Sequence, residues 1–447
     1  MTQSSSGFLE RQFRLAAHGS TVWTEVLAGT TTFLTMAYII FVQPTVLSAA
    51  GMDFGAVMVA TCLSSAAGCV LMALLANYPI ALAPGMGQNF FFVYAVVIGM
   101  QVSWQVALGA VGIAGFLFVA TTRLGIRDEV IRIMPRSLQH ATGAGIGLLV
   151  AVIGLEWAGI VVDAPGTLVT LGPLDRGPVI QALVGLLVTI ALVARRVPGS
   201  LLWGILASTA VGYGMGYVVF EGVIGAPPSI APTLLQLDIL GALTPDLIAV
   251  IFVFLLVDLF DTVGTLVSVS EQAGLMRDGE LPRARQAFLA DAIATVVGAG
   301  LGTSTVTSYV ESAAGVAVGG RTGLTSLITA AGFLLALLFH PLVRMIGGGV
   351  ETADGLTLYP VVAPTLIVVG ALMVKNAASV DWDDATEGIP AFLTLIVMPL
   401  AVSITEGIAF GFIAYSFLKL VTGRWREPHW LVHLFAALFL MRYVVLG

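Results

Sequence analysis

The sequence predicts an all-α polytopic membrane protein, and its composition and hydropathy carry that prediction. Hydrophobic residues make up 58% of the 447 residues, and charged residues make up only 10%. A soluble globular domain carries about 25% charged residues, so this chain has too few to cover its own surface. Apolar runs near the roughly 20 residues that cross a bilayer also recur along its length.

Hydropathy divides these runs into fourteen predicted spans. The first seven are residues 23–49, 54–76, 79–100, 104–122, 137–160, 179–194 and 200–220. The last seven are residues 245–270, 286–301, 303–318, 323–343, 357–375, 388–403 and 405–421. Residues 1–22 precede the first span as a polar segment without the apolar core of a signal peptide, and we expect them to be cytoplasmic.

The basic residues predict the orientation, because Lys and Arg gather on the cytoplasmic side of short loops. With the N-terminus inside, fourteen spans place only Arg176 and Arg344, of 19 basic residues, on the outer side. This bias supports the count of fourteen. It predicts a multi-pass protein of the bacterial inner membrane with both termini in the cytoplasm.

The last apolar segment, residues 428–444, is short and is flanked by Arg426 and His429. Apolar helices with such flanks can lie in the plane of the membrane surface. We therefore expect an interfacial helix on the cytoplasmic face, with a fifteenth span as the alternative.

Fourteen spans divide into two sets of seven, and an odd number gives the two halves opposite orientations. Inverted repeats are common in secondary transporters, where the substrate lies at the midplane between discontinuous helices. Two predicted spans are interrupted and partly polar. Span three breaks at Pro84-Gly85, and span ten contains GTSTVTSYVESAAGVAVGG. They lie seven spans apart, as an inverted repeat requires.

Each interrupted span is predicted to hold a short extended piece followed by a half-helix. Thr303–Thr307 favours extended chain, as do the residues before the Pro-Gly break. Such backbone is tolerated at membrane depth only inside protein, so the two pieces are expected to pair. The half-helices would begin near Gly87 and Ser308, with positive ends aimed at the centre and Asn89 and Glu311 at their starts. A tight packing helix is the alternative for span ten, although packing does not explain a carboxylate there.

Among the carboxylates inside predicted spans, three are candidates for a functional role. Asp258 and Asp261 are three residues apart on one face of span eight, and Glu311 lies in span ten. A charge at the bilayer centre is expensive, so such residues usually mark ion or substrate routes. The three would repel one another if all were ionised, so at least one is expected to exchange a proton near neutral pH.

Other polar residues of the spans are expected to be structural. We expect Asp291 to act as a helix cap or a hydrogen-bonded partner near the cytoplasm, and Glu25 to be an interfacial residue of a first helical turn. Cys62 and Cys69, the two cysteines of the chain, are expected to be buried packing residues.

The chain resembles the nucleobase cation symporter-2 family in four long runs: TTFLTMAYIIFVQPTVLSAAGMD, NYPIALAPGMGQNFFF, VDLFDTVGTLV and ADAIATVVGAGLGTSTVTSYVESAAGVAVGGRTGLTSL. DWDDATEGIPAFLTLIVMPL and ITEGIAFGFIAYSFLKL agree near the C-terminus. The likeness covers about residues 20 to 425, and more narrowly it resembles the azaguanine-type branch of adenine, guanine and hypoxanthine permeases. Two residues depart from the pattern: Gln43 stands where Asn is expected, and Gln88 replaces an apolar residue.

This resemblance implies two inverted seven-span repeats that form a core domain and a gate domain. The core domain would comprise residues 23–122 and 245–343, and the gate domain residues 123–220 and 344–421. The resemblance also implies a proton symporter that is often a homodimer through the gate domain. We expect no enzymatic activity, no metal or cofactor beyond the coupling proton, and no nucleic-acid partner.

The resemblance assigns substrate binding to Asn89, Asp258 and Glu311, and Asp261 matches a further polar position. A purine is a flat ring with donors and acceptors on its edges, and it needs acceptors for its N–H groups and apolar faces around the ring. Glu311 and Asp258 are the expected acceptors, and Phe90 is a candidate stacking residue.

Further hydrogen bonds to the purine are expected from the half-helix starts. Backbone amides near Gly87 and near Thr307 and Ser308 can donate, and Gln88 adds a side-chain amide. Asp258, Asp261 and Glu311 are the candidates for proton coupling.

These features predict import of purine nucleobases by proton symport, with an elevator-like movement of the core against the gate. A uracil or xanthine permease of the same fold is the main alternative. An anion exchanger of this architecture would favour a cationic pocket, and an aspartyl protease would need its two aspartates on separate helices. A channel would need a continuous polar pore, whereas the polar residues here concentrate at one depth.

Overall fold

The computed structural model describes residues 8–125, 134–164, 166–276, 281–352 and 355–445. Residues 1–7 of the predicted N-terminal segment lie outside these ranges. The helices of the first half are α1 (Phe8–Phe13), α2 (Val22–Met36), α3 (Ile39–Ser48), α4 (Phe54–Leu71), α5 (Met86–Phe90), α6 (Trp104–Leu124), α7 (Arg136–Trp157), α8 (Gly177–Ala194) and α9 (Ser200–Gly214). Those of the second half are α10 (Ile239–Ala242), α11 (Pro245–Gln272), α12 (Ala284–Leu301), α13 (Ser312–Val318), α14 (Gly323–Ala336), α15 (His340–Gly347), α16 (Ala363–Val374), α17 (Ala385–Leu400), α18 (Ile404–Val421) and α19 (Trp430–Val445).

The strands of the described residues form three small antiparallel sheets. The strand pairs are β1 (Leu82–Pro84) with β4 (Val306–Ser308), β2 (Val161–Ala164) with β3 (Leu168–Leu171), and β5 (Val350–Glu351) with β6 (Thr357–Leu358). The second and third sheets are local hairpins. The first joins segments more than 200 residues apart in sequence, and it is the sheet that positions the candidate site.

The helices confirm an all-helical polytopic membrane protein. Within the described ranges, eight helices are long and apolar enough to cross a membrane, and five shorter apolar helices accompany them. Each predicted span coincides with a helix, except that spans three and ten each contain a strand followed by a half-helix. The helices therefore follow the apolar runs that the sequence displays.

Side-chain caps fix where several of these helices begin. The Asp53 carboxylate accepts a hydrogen bond from Ala56 N at 2.7 Å before α4, and Ser103 caps α6 in the same way. A capping side chain satisfies a backbone N–H that has no partner within the helix. The predicted starts of spans two and four, residues 54 and 104, directly follow these caps.

The helices pack as two bundles. Helices α2 to α6 pack with α11 to α14, while α7, α8 and α9 pack with α16, α17 and α18. Within the first bundle, a Cβ at Gly315 of α13 would lie 2.1 Å from Thr32 Oγ1 of α2. Glycine thus lets the half-helix α13 approach α2 closely.

Glu25 occupies the expected first turn of α2, where it is enclosed by protein. The residue is fully buried, and its carboxylate accepts hydrogen bonds from Arg321 N at 3.0 Å and Thr325 N at 3.2 Å. These donors lie at the start of α14, whose amide nitrogens lack partners within the helix. The hydrogen bonds to Glu25 therefore hold the start of α14 against α2.

Both cysteines are buried and free, which confirms their predicted packing role. Cys62 is a buried residue of α4. Cys69 Sγ accepts a hydrogen bond from Leu82 N at 3.2 Å and so contacts the start of β1.

The C-terminal helix α19 packs against α18. It lies antiparallel to α18 over most of its length: Ser416 Oγ is 2.8 Å from His433 Nδ1, and the Tyr443 hydroxyl donates to the Glu406 carboxylate near the start of α18. Phe412 contacts both Phe435 and Phe439 between these two points. The sequence pattern does not distinguish an interfacial helix from a fifteenth span, because both expose one apolar helix face to lipid.

Helix α19 also joins the two bundles. The Phe435 ring stacks on that of Phe252 in α11, with ring centroids 4.2 Å apart and planes inclined by 21°. The opposite face of α19 is apolar and exposed, including Leu434, Leu438 and Met441. This pattern agrees with a helix that packs on protein along one face and meets lipid along the other.

Candidate functional site

The two interrupted segments meet at the β1–β4 sheet, as the sequence predicts. The strand partners are Leu82 with Ser308, Ala83 with Thr307 and Pro84 with Val306. Two further backbone bonds of 2.9 Å, from Tyr309 N to Ala81 O and from Gly85 N to Thr305 O, continue the pairing beyond the strands. The extended chain thus satisfies its backbone groups inside the protein, which an apolar environment requires.

A half-helix follows each strand. The first begins at Met86 and continues beyond α5 as a π-helix to Gly99. The second, α13, begins at Ser312, four residues later than expected, because residues 309–311 first form a turn. Glu311 occupies the N-cap position of α13, where the helix dipole favours a negative charge.

Glu311 lies at the centre of a small polar cluster. The Tyr38 hydroxyl, on the turn between α2 and α3, donates to Glu311 Oε1 at 2.7 Å. Thr35 Oγ1 reaches the Glu311 carbonyl oxygen at 3.4 Å. Tyr38 is buried, whereas Glu311 keeps part of its surface accessible. One carboxylate oxygen is therefore held by protein, and the other is available to a ligand.

Asp261 faces the same cluster from α11. Its carboxylate is exposed, and its neighbours include Gln88 and Glu311. The adjacent Tyr309 hydroxyl donates to Pro84 O at 2.5 Å and so braces the strand crossing. Asp261 thus lies on the more open side of the cluster.

The first half-helix contributes two buried side-chain amides. Gln88 and Asn89 both lie on α5, and their nitrogens Nε2 and Nδ2 have no hydrogen-bond partner among the described residues. Buried polar atoms are nearly always paired. Gln88 is also a neighbour of the Asp261 carboxylate, and donors and acceptors placed side by side are suited to a ligand that carries both.

Asp258 lies behind the strands, away from this open side. It is 1% exposed, and its Oδ2 atom accepts a hydrogen bond from Thr295 Oγ1 of α12 at 3.0 Å. Thr295 also bonds the backbone of Val306 in β4. Although Asp258 and Asp261 are three residues apart on one helix, the first is enclosed and the second is exposed.

Asp291 joins Asp258 in this enclosed region. It is fully buried, and it accepts hydrogen bonds of 2.8 Å from Thr262 Oγ1 and from Ser308 Oγ. Asp291 and Thr295 are four residues apart and share one face of α12, so the Asp291 and Asp258 carboxylates are neighbours. The expected hydrogen-bonded role of Asp291 is confirmed, but the expected cap is wrong, because α12 begins seven residues earlier at Ala284.

The side-chain hydroxyls of Thr307 and Ser308, whose backbone amides were predicted to donate to the substrate, bond within the protein. The Ser308 hydroxyl bonds Asp291, and the Thr307 hydroxyl lies 3.1 Å from Thr262 Oγ1. Both hydroxyls thus brace β4 against α11 and α12. The sequence did show Asp291 inside an apolar run, but it did not show that β4 would place Ser308 beside it.

The predicted stacking residue Phe90 lies within an aromatic cluster. Its ring is parallel to that of Tyr94, with centroids 6.1 Å apart, and it also contacts Trp157 of α7. Trp157 Nε1 donates to the Tyr94 hydroxyl at 3.1 Å and packs on Tyr359. Phe90 is fully buried here, so the cluster links the half-helix to the second bundle.

Gly87 marks a second contact between the two bundles. A Cβ built on Gly87 would lie 2.4 Å from Ile146 Cγ2 of α7. Contacts below 3.0 Å are essentially absent for real Cβ atoms. Glycine at this position therefore lets the half-helix α5 pass close to α7.

We expect Gly87→Ala to reduce solute uptake by roughly tenfold or more, because the added methyl group overpacks this contact. The measurement is initial uptake into cells, normalised to the amount of protein in the membrane. Ile146→Ala removes the opposing methyl group, so the double variant should recover most of the lost uptake. An equal loss of uptake in Gly87→Ala and in the double variant would show that the contact between Gly87 and Ile146 is not the cause.

A cluster of carboxylates and unpaired amides, enclosed by apolar helices and placed where two of them break, defines the class of protein. It is a membrane transport protein that binds a small polar solute. The sequence matches the model of the Permease family (Xan_ur_permease) over residues 24–410, and the chain belongs to that family. It is accordingly a transporter and not an enzyme.

Several relatives are similar over nearly their whole length. A putative permease of Methanocaldococcus jannaschii, MJ0326, is 50% identical over 98% of this chain and 99% of the relative. The adenine permease AdeP of Escherichia coli is 44% identical over 99% and 97%. The guanine/hypoxanthine permease PbuG of Bacillus subtilis is 44% identical over 97% and 99%.

Solved structures confirm the fold class. The transmembrane domain of the cyanobacterial bicarbonate transporter BicA matches with a TM-score of 0.60 at 14% identity, over 88% of this chain and 97% of that domain. Murine Slc26a9, an anion transporter in the inward-facing state, matches with a TM-score of 0.65 at 11% identity, over 95% and 74%. At this identity the likeness concerns the fold alone.

Proposed function

We propose that this protein imports purine nucleobases (adenine, guanine and hypoxanthine) by proton symport. The observation that carries the proposal is the Glu311 carboxylate, held by Tyr38 at the strand crossing beside Asp261, with two unpaired amides on the half-helix α5. Relatives at 44% identity are named as adenine and guanine/hypoxanthine permeases, which supports the same substrate class.

The arrangement suits the edges of a purine ring. Glu311 and Asp261 accept from ring N–H and exocyclic NH2 groups, while Gln88 and Asn89 donate to ring nitrogens or carbonyl oxygens. We assign substrate binding to these four side chains. Asp258, which the sequence placed among them, is enclosed behind β4 and takes a different role.

We assign proton coupling to the enclosed pair of Asp258 and Asp291. Two neighbouring carboxylates without a cation among their described contacts are costly to bury in fully ionised form. Both are connected to β4, Asp258 through Thr295 and Asp291 through Ser308. Proton uptake at this pair therefore acts directly on the strand that carries Glu311.

The transport cycle that we propose is a movement of one bundle against the other. The fourteen spans form two inverted repeats, with the first bundle as the core domain and the second as the gate domain. The core carries all the binding residues. Its contacts with the gate include the close approach of Gly87 to Ile146 and the aromatic cluster around Trp157. Both contacts must change when the core slides past the gate.

The gate bundle also offers a surface for a homodimer. Exposed apolar side chains on α8, α9 and α17 include Leu187, Trp203 and Phe392. We propose that a second copy packs against this surface in the membrane. The mass of the protein in detergent, corrected for bound detergent, distinguishes the dimer from the monomer.

The nucleobase panel that tests the proposed function uses purified protein at two pH values. We expect adenine, guanine or hypoxanthine to raise the melting temperature and to compete with one another, and uptake into proteoliposomes to follow an imposed proton gradient. Stabilisation by uracil or xanthine alone would replace the assignment of adenine, guanine and hypoxanthine as substrates. Uptake that ignores the gradient would remove the coupling.

We propose that α19 is a fifteenth span, which was the alternative to an interfacial helix. We place the N-terminus in the cytoplasm, from the distribution of basic residues. Because α19 returns along α18, the C-terminus then lies on the opposite side.

A cysteine appended after Gly447 should therefore react with a membrane-impermeant maleimide in intact cells. Arg426→Cys, in the loop between α18 and α19, should react only after the cells are opened. The native Cys62 and Cys69 are buried and give little background. Protection of the appended cysteine until lysis would restore the interfacial position of α19.

A further inference from the structure

Gln43 connects α3 with the candidate site through a chain of hydrogen bonds. The residue is fully buried, and its Nε2 atom donates to Thr303 Oγ1 at 2.8 Å and to Ser304 Oγ at 3.2 Å. Ser304 Oγ is hydrogen-bonded in turn to Asn89 Oδ1. The chain thus runs from α3, through the residues before β4, to the half-helix α5.

The direction of each hydrogen bond in this series follows from the protons that each group can donate. The amide nitrogen of Gln43 only donates, so Ser304 Oγ accepts from it. The hydroxyl proton of Ser304 is then available to the carbonyl oxygen of Asn89. If the Asn89 amide were reversed, Ser304 would face two donors and its own proton would lose this acceptor. With Gln43 donating to Ser304, the arrangement that gives the Ser304 proton an acceptor points the Asn89 amide nitrogen away from Ser304.

The end that points away is a hydrogen-bond donor. Asn89 Nδ2 has no partner among the described residues, although Asn89 is fully buried. Native proteins rarely leave a buried amide nitrogen unpaired. In the orientation that the bond from Ser304 favours, this nitrogen lacks an acceptor.

We propose that Gln43 is a specificity-determining positioning residue: through Ser304, it holds Asn89 as a donor to an acceptor atom on the edge of the substrate. The inference rests on the proposed function and adds the direction of one hydrogen bond, in which Asn89 donates and the substrate accepts. A purine must bring a lone pair, on a ring nitrogen or a 6-oxo oxygen, to Asn89. A ring that carries C–H at that place binds more weakly.

The test compares hypoxanthine with 7-deazahypoxanthine and 3-deazahypoxanthine, which each lack one ring acceptor, and with unsubstituted purine, which lacks the 6-oxo acceptor and has an acceptor in place of the N1–H donor. With the unaltered protein, the analogue that lacks the acceptor for Asn89 should bind roughly tenfold more weakly than hypoxanthine. In Gln43→Met, which keeps the volume and removes the donor, this penalty should fall to about threefold or less. KM for hypoxanthine should rise while kcat changes little, because the residue acts on binding.

Three variants separate positioning from packing. Ser304→Ala breaks the chain at its middle and should remove the analogue penalty, whereas Ser304→Thr keeps the hydroxyl and should retain it. Thr303→Val is the matched control, because Thr303 contacts Gln43 and lies outside the path to Asn89. It should also retain the penalty. Monodisperse elution from a size-exclusion column establishes that each variant is folded. If Gln43→Met is not folded, Ser304→Ala tests the inference in its place.

Two results would overturn the inference. One is a full analogue penalty in folded Gln43→Met or Ser304→Ala, and the other is its absence from the unaltered protein. Loss of the penalty in Thr303→Val would likewise assign the effect to packing. Failure of the unaltered protein to bind any of these purines would instead defeat the proposed function, so the two failures are distinguishable.

Discussion

Substitution of Glu311 by glutamine should weaken purine binding by roughly 100-fold. A carboxylate presents acceptors only, and Tyr38 holds one of its oxygens at 2.7 Å so that the other can face the ligand. A glutamine amide would place an N–H group against Tyr38 or against the donors of the purine. Equilibrium binding of radiolabelled hypoxanthine to purified protein measures the loss directly.

Matched variants show whether the Glu311 effect belongs to the site. Tyr38→Phe leaves the carboxylate but removes the hydroxyl that orients it, so a loss of about three- to tenfold is expected. Glu351→Gln alters an exposed glutamate of the β5–β6 hairpin and should leave binding unchanged. Unchanged affinity in Glu311→Gln would remove Glu311 from the binding site.

Asp291→Asn should abolish accumulation of purine against its gradient while exchange of purine across the membrane continues. Moving one proton through 100 mV is worth about 2.3 kcal/mol, which corresponds to roughly 50-fold accumulation. An asparagine cannot carry this proton, and its amide can accept from only one of Thr262 and Ser308 at a time. The variant should therefore lose the whole 50-fold accumulation of purine.

The comparison between net uptake and exchange separates coupling from folding. Proteoliposomes loaded with unlabelled purine should exchange it for labelled purine at a rate near that of the unaltered protein. Asp258→Asn should behave like Asp291→Asn, and Asp383→Asn, an exposed residue before α17, should leave both activities intact. Proton-driven accumulation that persists in both Asp258→Asn and Asp291→Asn would place the coupling group elsewhere.

The sequence was sufficient to predict the spans and the strand crossing, since both depend on local physics. Apolar runs of bilayer length have few alternatives to a helix. The Pro84-Gly85 break and the β-favouring run at Thr303–Thr307 each disfavour a continuous helix. Their pairing followed because extended backbone inside a membrane protein must find partners.

The roles of individual acids could not be read from the sequence in the same way. Asp258 and Asp261 are three residues apart, yet the strand crossing encloses the first and leaves the second exposed. Asp291 becomes part of the site only because β4 places Ser308 beside it. The direction of α19 likewise depends on contacts with Phe412 and Phe252 that no local pattern encodes.

An experimental structure with hypoxanthine bound tests the central claim most directly. We expect density for the flat ring beside the β1–β4 crossing, within hydrogen-bonding distance of the Glu311 carboxylate and of Asn89 Nδ2. Density at any other place, with Glu311 and Asn89 still bonded only to protein, would contradict the site and the mechanism built on it.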